Sequence, residues 1–273
     1  SNDLVQAGDY LELALETDPR DKDLLQHAMR ARLVGGQVPQ AVAIARELIE
    51  LTPANQQAGL LLAIDSFEAG RYTRAGRYLD KMNKGPMTRL LEPNIRLWIA
   101  VAKTRDGDVQ ATMSQLRRTA AFTPISMLQV ARAMELSSDL TGADEAYATG
   151  ARAGGVSYFF FVKAYGAYLE RKGDALGARK LYQDYHDTHL THPHIMAGLA
   201  RLEASAPAPE LPRAVNMQMA NAFIAVAEVM ERENRRELAL AYAHLALFLE
   251  PESDIAIFIT AEIFRRSQRW TAA

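Results

Sequence analysis

The residues of this chain best suited to chemistry are four histidines crowded into nine positions: His186, His189, His192 and His194, beside Asp184 and Asp187. They are four of the six histidines in the sequence. His186 and His189 stand three apart, the spacing at which two imidazoles on one helix face share a metal ion. The same two fall where a helix is expected to end, and a helix C-terminus favours His through its dipole; His192 and His194 flank Pro193 in a loop. A two-His metal site and a solvated helix cap both fit, and the cap is the plainer reading. No cofactor is therefore expected, and no resident metal beyond the candidates His186 and His189. The aromatic group running from Tyr158 through Phe160 to Tyr185 could cage a ligand. The spacing of Phe161, Tyr165 and Tyr168 is instead one helix stripe, which assigns the group to a core. Phe160 is the exception.

Other chemistry has little to rest on. The sequence holds no phosphate-cradling glycine loop, no nucleophile elbow and no paired-His metalloprotease motif, so the chain reads as non-enzymatic. It has no cysteine, which excludes disulfide frameworks, thiolate zinc sites and cysteine nucleophiles and leaves the compartment open. The 31 Lys and Arg against 33 Asp and Glu lack the clustered excess that phosphate neutralisation requires, so nucleic acid is not an expected partner. Pairs such as Arg117-Arg118, Arg235-Arg236 and Arg265-Arg266 read as solvated faces. Apolar runs such as Ala222 to Ala227 fall far short of the ~20 residues of a membrane span. The 49% hydrophobic content over 273 residues is ample for a core.

The elements that must position these residues follow from a period close to 34. Small residues that open a helical apolar stripe fall at Ala7, Ala41, Ala75, Thr112, Ala143, Ala178, Ala239 and Ala273, with spacings of 34, 34, 37, 31, 35, 61 and 34. Five positions before them stand Asn2, Gly36, Gly70, Gly107, Ser138, Gly173, Asn234 and Gln268, mostly residues that tolerate a left-handed turn. Twelve before them lie Met29, Ala63, Ala100, Ala131, Gly166, Ala227 and Ala261, small enough in six of seven cases for two helices to approach closely. Twelve after them come Pro19, Pro53, Pro124 and Pro251, which cannot continue a helix; Pro86 is one place early, and Gly155 and Leu190 stand where a proline is missing. Apolar residues at four and seven beyond the anchors, as in Ala178-Tyr182-Tyr185, keep a helix period with no strand alternation.

On these residues the chain resembles the tetratricopeptide repeat (TPR) family. Phe160 to Leu190 matches best, with Tyr165-Gly166, Leu169, Gly173, Ala178 and Tyr182 on the family's helix-turn-helix pattern. The resemblance implies an all-α fold of about 14–15 helices, antiparallel pairs stacked into a right-handed superhelix whose first helices line a concave groove. From Asp144 onward the chain also resembles a group of long, exported bacterial TPR proteins in which a proline-rich interruption precedes a final repeat. That points to the bacterial cell envelope without naming a function.

The period breaks between Ala178 and Ala239. His194 to Ala204 reads as one helix, and the three prolines of Ser205 to Pro212 forbid another. A flexible link and an ordered strap along the groove compete there, the strap favoured by Leu211, Val215 and Met217. The expected organisation is an array over 1–204, a proline-rich irregular connection over 205–219, and a C-terminal unit over 220–273, all one superhelix. Ala273 is the anchor of a further helix, and Ile255, Ile257, Phe258, Ile259 and Phe264 form no polar cap, so the chain is expected to continue or to pack on another copy through that end.

The resemblance also carries over the family's ligand-facing positions. They are Asp23, Gln26 and Arg30; Gln57, Leu60 and Ile64; Asn94, Leu97 and Val101; Leu128 and Arg132; Phe160, Lys163 and Ala167; and Asn221, Ile224 and Glu228. Relatives that clamp a peptide carboxylate use a Lys and Asn set where Gln26, Arg30 and Ile64 stand here, which argues against a clamp. An apolar groove with polar ends suits a peptide or protein segment, its buried anchors supplying affinity. The expected role is a scaffold for protein interaction or assembly. The alternatives are a self-assembling structural protein and a regulatory module attached to a region beyond residue 273.

Overall fold

Five of the helix-turn-helix connections turn on a residue in a left-handed conformation. Gly36 (φ 81°), Gly70 (φ 69°), Ser138 (φ 64°), Gly173 (φ 88°) and Asn234 (φ 60°) all do so, five of the positions that the period marks as turns. Asp21, Asn55, Asp139 and Asp174 start the neighbouring helices, each accepting a first-turn backbone N–H at 2.8–3.0 Å, which satisfies donors that a helix N-terminus leaves without a partner. Pro19, Pro53 and Pro251 stand two residues past helix ends. Pro124 instead opens the helix that follows it, the position where a missing N–H costs nothing.

The computed structural model describes residues 2–268 apart from 84, 104–105, 119–122 and 190–191; the anchor Ala273 and Leu190 lie outside the described residues. The helices are α1 (Asn2–Thr17), α2 (Lys22–Val34), α3 (Val38–Leu51), α4 (Gln56–Glu68), α5 (Tyr72–Lys81), α6 (Pro86–Ala102), α7 (Asp106–Arg118), α8 (Thr123–Leu136), α9 (Leu140–Arg152), α10 (Phe159–Lys172), α11 (Ala175–Thr188), α12 (Pro193–Glu203), α13 (Val215–Arg232), α14 (Arg236–Leu249) and α15 (Asp254–Gln268). A 3₁₀ turn spans Gly155–Ser157. Among the described residues there is no strand, and the fold is an all-α helical-hairpin repeat of the class the period implied.

The anchors carry the packing. Ala41, Ala75, Ala143, Ala178 and Ala239 have no exposed surface, and Ala63, Ala131 and Ala227 opposite them have none either. Four positions depart from the register. Ala7 is exposed and its neighbour Gly8 is buried, because the Arg32 guanidinium lies 3.0 Å from where a Cβ on Gly8 would stand. Thr112 is half-buried while Met113 is buried, and Gly107 lies inside α7 and marks no turn, where the spacing runs 37 and 31. Ala261 is exposed, with Ala256, Ile259 and Ile263 forming the buried face of α15.

The chain forms two compact units, residues 1–109 with 215–273 and residues 110–214, a division different from the expected boundaries at 204 and 219. In the first, α1 packs on α2, and α2/α3, α4/α5 and α13/α14 pair; α13 also packs on α6, and α14 on α2, α3, α4 and α15. In the second, α8/α9 and α10/α11 pair, with α12 on α10 and α11. The reason for the discrepancy is a contact between residues about 200 apart, which a local period cannot register. Helix α13 begins at Val215, inside the stretch expected to be irregular, because no Pro or Gly follows Pro212 and the apolar period resumes; Gln218 and Met219 are already buried. Residues 206–214 are non-helical. Arg171 donates to the Pro209 carbonyl at 2.8 Å, and Leu211, Val215 and Met217 are half-buried.

Candidate functional site

The positions assigned to a groove lie on α6 and on the first helices of the five pairs α2/α3, α4/α5, α8/α9, α10/α11 and α13/α14. In the first unit α2 carries Gln26 and Arg30, α4 carries Gln57, Leu60 and Ile64, α6 carries Asn94, Leu97 and Val101, and α13 carries Asn221, Ile224 and Glu228. In the second, Leu128 and Arg132 are on α8, and Phe160 and Lys163 on α10. Neighbouring helices are coupled through these side chains: Gln26 donates to Gln57, and Asn55 donates to Gln26 at 2.7 Å. Asn221 turns back to its own helix, donating to the Met217 carbonyl at 2.8 Å, and Glu228 lies 3.7 Å from Arg232.

The apolar members are largely covered. Ile64, Asn94, Leu97, Leu128, Phe160 and Ile224 are buried, whereas Arg30 and Gln57 are exposed and Leu60 and Val101 half-buried. In the first unit the cover over α2 and α4 is helix α14. Leu238, Ala241, Tyr242 and Leu245 of α14 face Met29 and Leu33 of α2 and Leu60 and Ile64 of α4 around a cavity of about 80 Å³. Arg30 and Glu237 form an ion pair at 2.5 Å on its rim. At the far end of α2, His244 Nδ1 lies 3.2 Å from the Leu33 carbonyl. Burial pulls the His244 imidazole below its ordinary pKa despite bonds to the Leu33 and Val34 carbonyls. Burial also raises the Tyr242 phenol to about 12. The face expected to receive a partner thus already holds a helix of the same chain.

The four histidines do not form one cluster, although the His192 and His194 rings stack at 5.5 Å. Helix α11 ends at Thr188, and His189 caps it with extended backbone (φ −131°, ψ 167°), so the helical spacing that would align it with His186 is broken at that residue. The His189 ring stacks on Tyr185 at 4.2 Å and its Nδ1 lies 2.8 Å from Thr188 Oγ1. His192 stacks on Phe159 at 3.5 Å and caps α12, accepting from the His194 N–H at 3.4 Å; His194 is in the first turn of α12 rather than in a loop. Among the described residues no group of three or more His, Asp or Glu is placed to hold a metal ion.

The aromatic group is core. Tyr147, Phe161, Tyr168 and Tyr182 are at most 1% exposed, and Tyr147 stacks on Tyr165 and Tyr168 at 4.9 and 4.8 Å. Phe160, expected to face the groove, is buried and stacks on Tyr158 at 5.4 Å. The strongest perturbations of titrating groups occur in this core. Burial, then a 2.7 Å bond to Glu170, raises the Tyr182 phenol far above its usual range; burial and a 2.8 Å bond to Asp144 do the same to Tyr168. For Asp144 burial pulls upward, but bonds from Lys172 and Tyr168 outweigh it and hold the carboxyl below its ordinary value. Perturbed groups mark functional sites when they line a cleft; these are struts.

The struts repeat, and sequence reasoning missed them. Tyr147 OH lies 3.5 Å from Glu135, and Glu135 takes Arg171 at 2.6 Å; Tyr182 donates to Glu170, and Glu170 takes Arg201 at 2.8 Å. Each Glu stands twelve residues before its Tyr, and the two Glu–Tyr pairs are 35 apart, a signal available in the register. A second cleft, of about 350 Å³, is lined by Arg71, Arg74, Arg77 and Lys103, residues that the reading of charge as scattered solvated faces passes over.

No family model matches the chain, and no curated protein does. Among solved structures the chain is similar to one described as the crystal structure of the APC/C hetero-tetramer Cut9-Hcn1, at 14% identity and a TM-score of 0.43, over 95% of this chain and 52% of that one. This chain therefore matches about half the length of that neighbour. At such identity and TM-score the likeness carries no residue role across.

Proposed function

We propose that the chain is a TPR-type, non-enzymatic scaffold that binds a segment of a protein partner on the faces formed by its first helices. The observation that carries this reading is the repetition of one hairpin chemistry, with fully buried alanines at Ala41, Ala75, Ala143, Ala178 and Ala239 and left-handed turns five residues before each. A repeat that spends its recurring spacing on helix packing presents side chains of free choice on its first-helix faces, and scaffolds use such faces for partners. The perturbed groups, by contrast, are bound into interhelical struts. A tagged chain should capture a specific partner from the source organism, and Leu60→Asp with Val101→Asp, at half-buried groove positions, should lose it. Undiminished capture would place binding elsewhere.

A second reading, self-association through α15, is favoured by one observation. Ile257 is 51% exposed and Ala261 one turn on is also exposed, an apolar stripe of the kind that packs on another helix. Light scattering over a concentration range tests it. The likeness to exported bacterial TPR proteins rests on the residues from Asp144 onward alone.

A further inference from the structure

Positive charge gathers at the start of α5 in a way that repeat packing does not require. Arg71, Arg74 and Arg77 line the cleft of about 350 Å³ together with Lys103, just past the end of α6. Among the described residues that line it there is no Asp or Glu. All four cations belong to the first unit. The buried residues of α5 are Ala75 and Leu79, whereas the three arginines are exposed. A cleft lined by one sign of charge focuses its field on whatever enters.

The cleft is built from its own turn. Gly70 reverses the chain with φ 69°, and the Arg71 N–H that follows donates to the Ser66 carbonyl at 2.7 Å. Tyr72 is fixed by an edge contact with the buried Phe67, ring centroids 5.3 Å apart. From that start the arginines recur every three residues, and six residues of helix advance by about 9 Å. Two of the guanidinium groups are positioned from their own surroundings. Arg74 donates to the Tyr78 hydroxyl at 3.2 Å, and Arg71 lies 3.5 Å from Asp65. Asp65 also takes Arg46 at 3.2 Å, so one carboxylate answers two guanidinium groups and the cleft keeps a surplus of positive charge. No acidic residue stands in the first turn of α5, and the dipole of that helix end has the same sign.

We propose that this cleft binds an acidic segment of a protein partner through guanidinium–carboxylate pairs. Arginine forks hold carboxylates bidentately, and clusters of them are a recurring means of recognising acidic motifs. Alternate residues of an extended chain set side chains about 7 Å apart on one side, a spacing that fits within the reach of the three arginines. The segment therefore carries Asp or Glu at alternate positions or in an unbroken run. Four cations in one short cleft fall short of the extended basic stripe that nucleic acid needs. The site lies on a second helix, so it stands independently of the first-helix faces proposed above.

The probe is a fluorescent peptide of six glutamates with blocked termini, read by anisotropy at low salt, where charge pairing is least screened. The parent chain should bind it, and a six-glutamine peptide should not bind. Arg74→Gln with Arg77→Gln should weaken binding by about tenfold or more. Both side chains are exposed, and circular dichroism should show the fold unchanged. Arg20→Gln with Lys22→Gln removes the same charge at exposed positions away from the cleft and should change affinity by less than about twofold, since screening limits distant charges. Equal losses in the two double variants would reduce the effect to general attraction and overturn the site, as would no binding by the parent. Pyrophosphate bound in calorimetry through Arg74 and Arg77, with the glutamate peptide ignored, would overturn the acidic segment and assign the cleft to a compact phosphate compound.

Discussion

Replacing Gly166 by Ala would destabilise residues 110–214, although the same exchange in an ordinary helix is favourable. Gly166 lies on α10 with the Tyr182 ring against it: an added Cβ would stand 2.2 Å from Cε1 and 2.3 Å from Cζ, where non-bonded carbons prefer ~3.5–4.0 Å. The ring has nowhere to go. Its other face lies against Gly198 of α12, whose own Cβ would be 2.7 Å from Cε2, and its hydroxyl is bonded to Glu170 at 2.7 Å. Overpacking costs about 1–3 kcal/mol, and moving the ring gives up a hydrogen bond to a carboxylate at about 1.5–3 kcal/mol. Helix propensity returns about 1 kcal/mol. The net is a loss of about 3 kcal/mol, which for a unit of this size lowers the melting temperature by more than about 10 °C. Urea and thermal unfolding followed by circular dichroism measure it. Gly76→Ala on α5, where nothing stands within 4 Å of the added Cβ, is the matched control and should gain about 0.5–1 kcal/mol. If Gly166→Ala were as stable as the parent while Gly76→Ala behaved as stated, or if Tyr182→Leu failed to relieve the Gly166→Ala defect in a double-mutant cycle, the two-glycine clamp would be refuted.

Other outcomes follow from the same structure. His244 has its pKa lowered below 6.5 in the fold, so an unfolded chain takes up its proton first as pH falls; its stabilising contribution is full above about pH 6.5 and is lost as pH drops through the folded value. Melting temperatures between pH 5 and 8 should therefore fall less steeply toward acid in His244→Asn than in the parent. Glu170→Ala leaves the Tyr182 hydroxyl and Arg201 without their shared carboxylate, a buried partner only 3% exposed, and should cost about 2–4 kcal/mol in urea unfolding. Ile257→Asp, at a 51% exposed position, should leave stability within about 0.5 kcal/mol and reduce the mass seen by light scattering if α15 joins two copies; an unchanged mass at every concentration rejects that reading.

Much of the architecture was legible because the information is local. A left-handed turn, a small residue five places on and a proline beyond it are properties of a few neighbouring residues, so Gly36, Gly70, Ser138, Gly173 and Asn234 were readable as turns and Ala41, Ala75, Ala143 and Ala178 as packing points. The reading slipped at Gly107 and Thr112, where the spacing wandered from 34 and the true buried residue is Met113. It slipped again at His189, since a helix period assumes a helix that continues, and α11 ends one residue earlier.

The sequence by itself determined that the chain is an array of helix pairs, because hydrophobic period, turn chemistry and small-residue spacing each act over one repeat and agree in the repeats anchored at Ala41, Ala75, Ala143, Ala178 and Ala239. Only the tertiary structure decided what covers the first-helix faces. Arg30 and Glu237 are 207 residues apart, as the bond between them records, and no local pattern encodes that α14 returns to lie on α2 and α4. The side chains that look available when a repeat is read alone, Ile64 and Leu97 among them, are buried because apolar surface left open by one part of a chain is stabilised by whatever apolar helix the rest of the chain can bring to it.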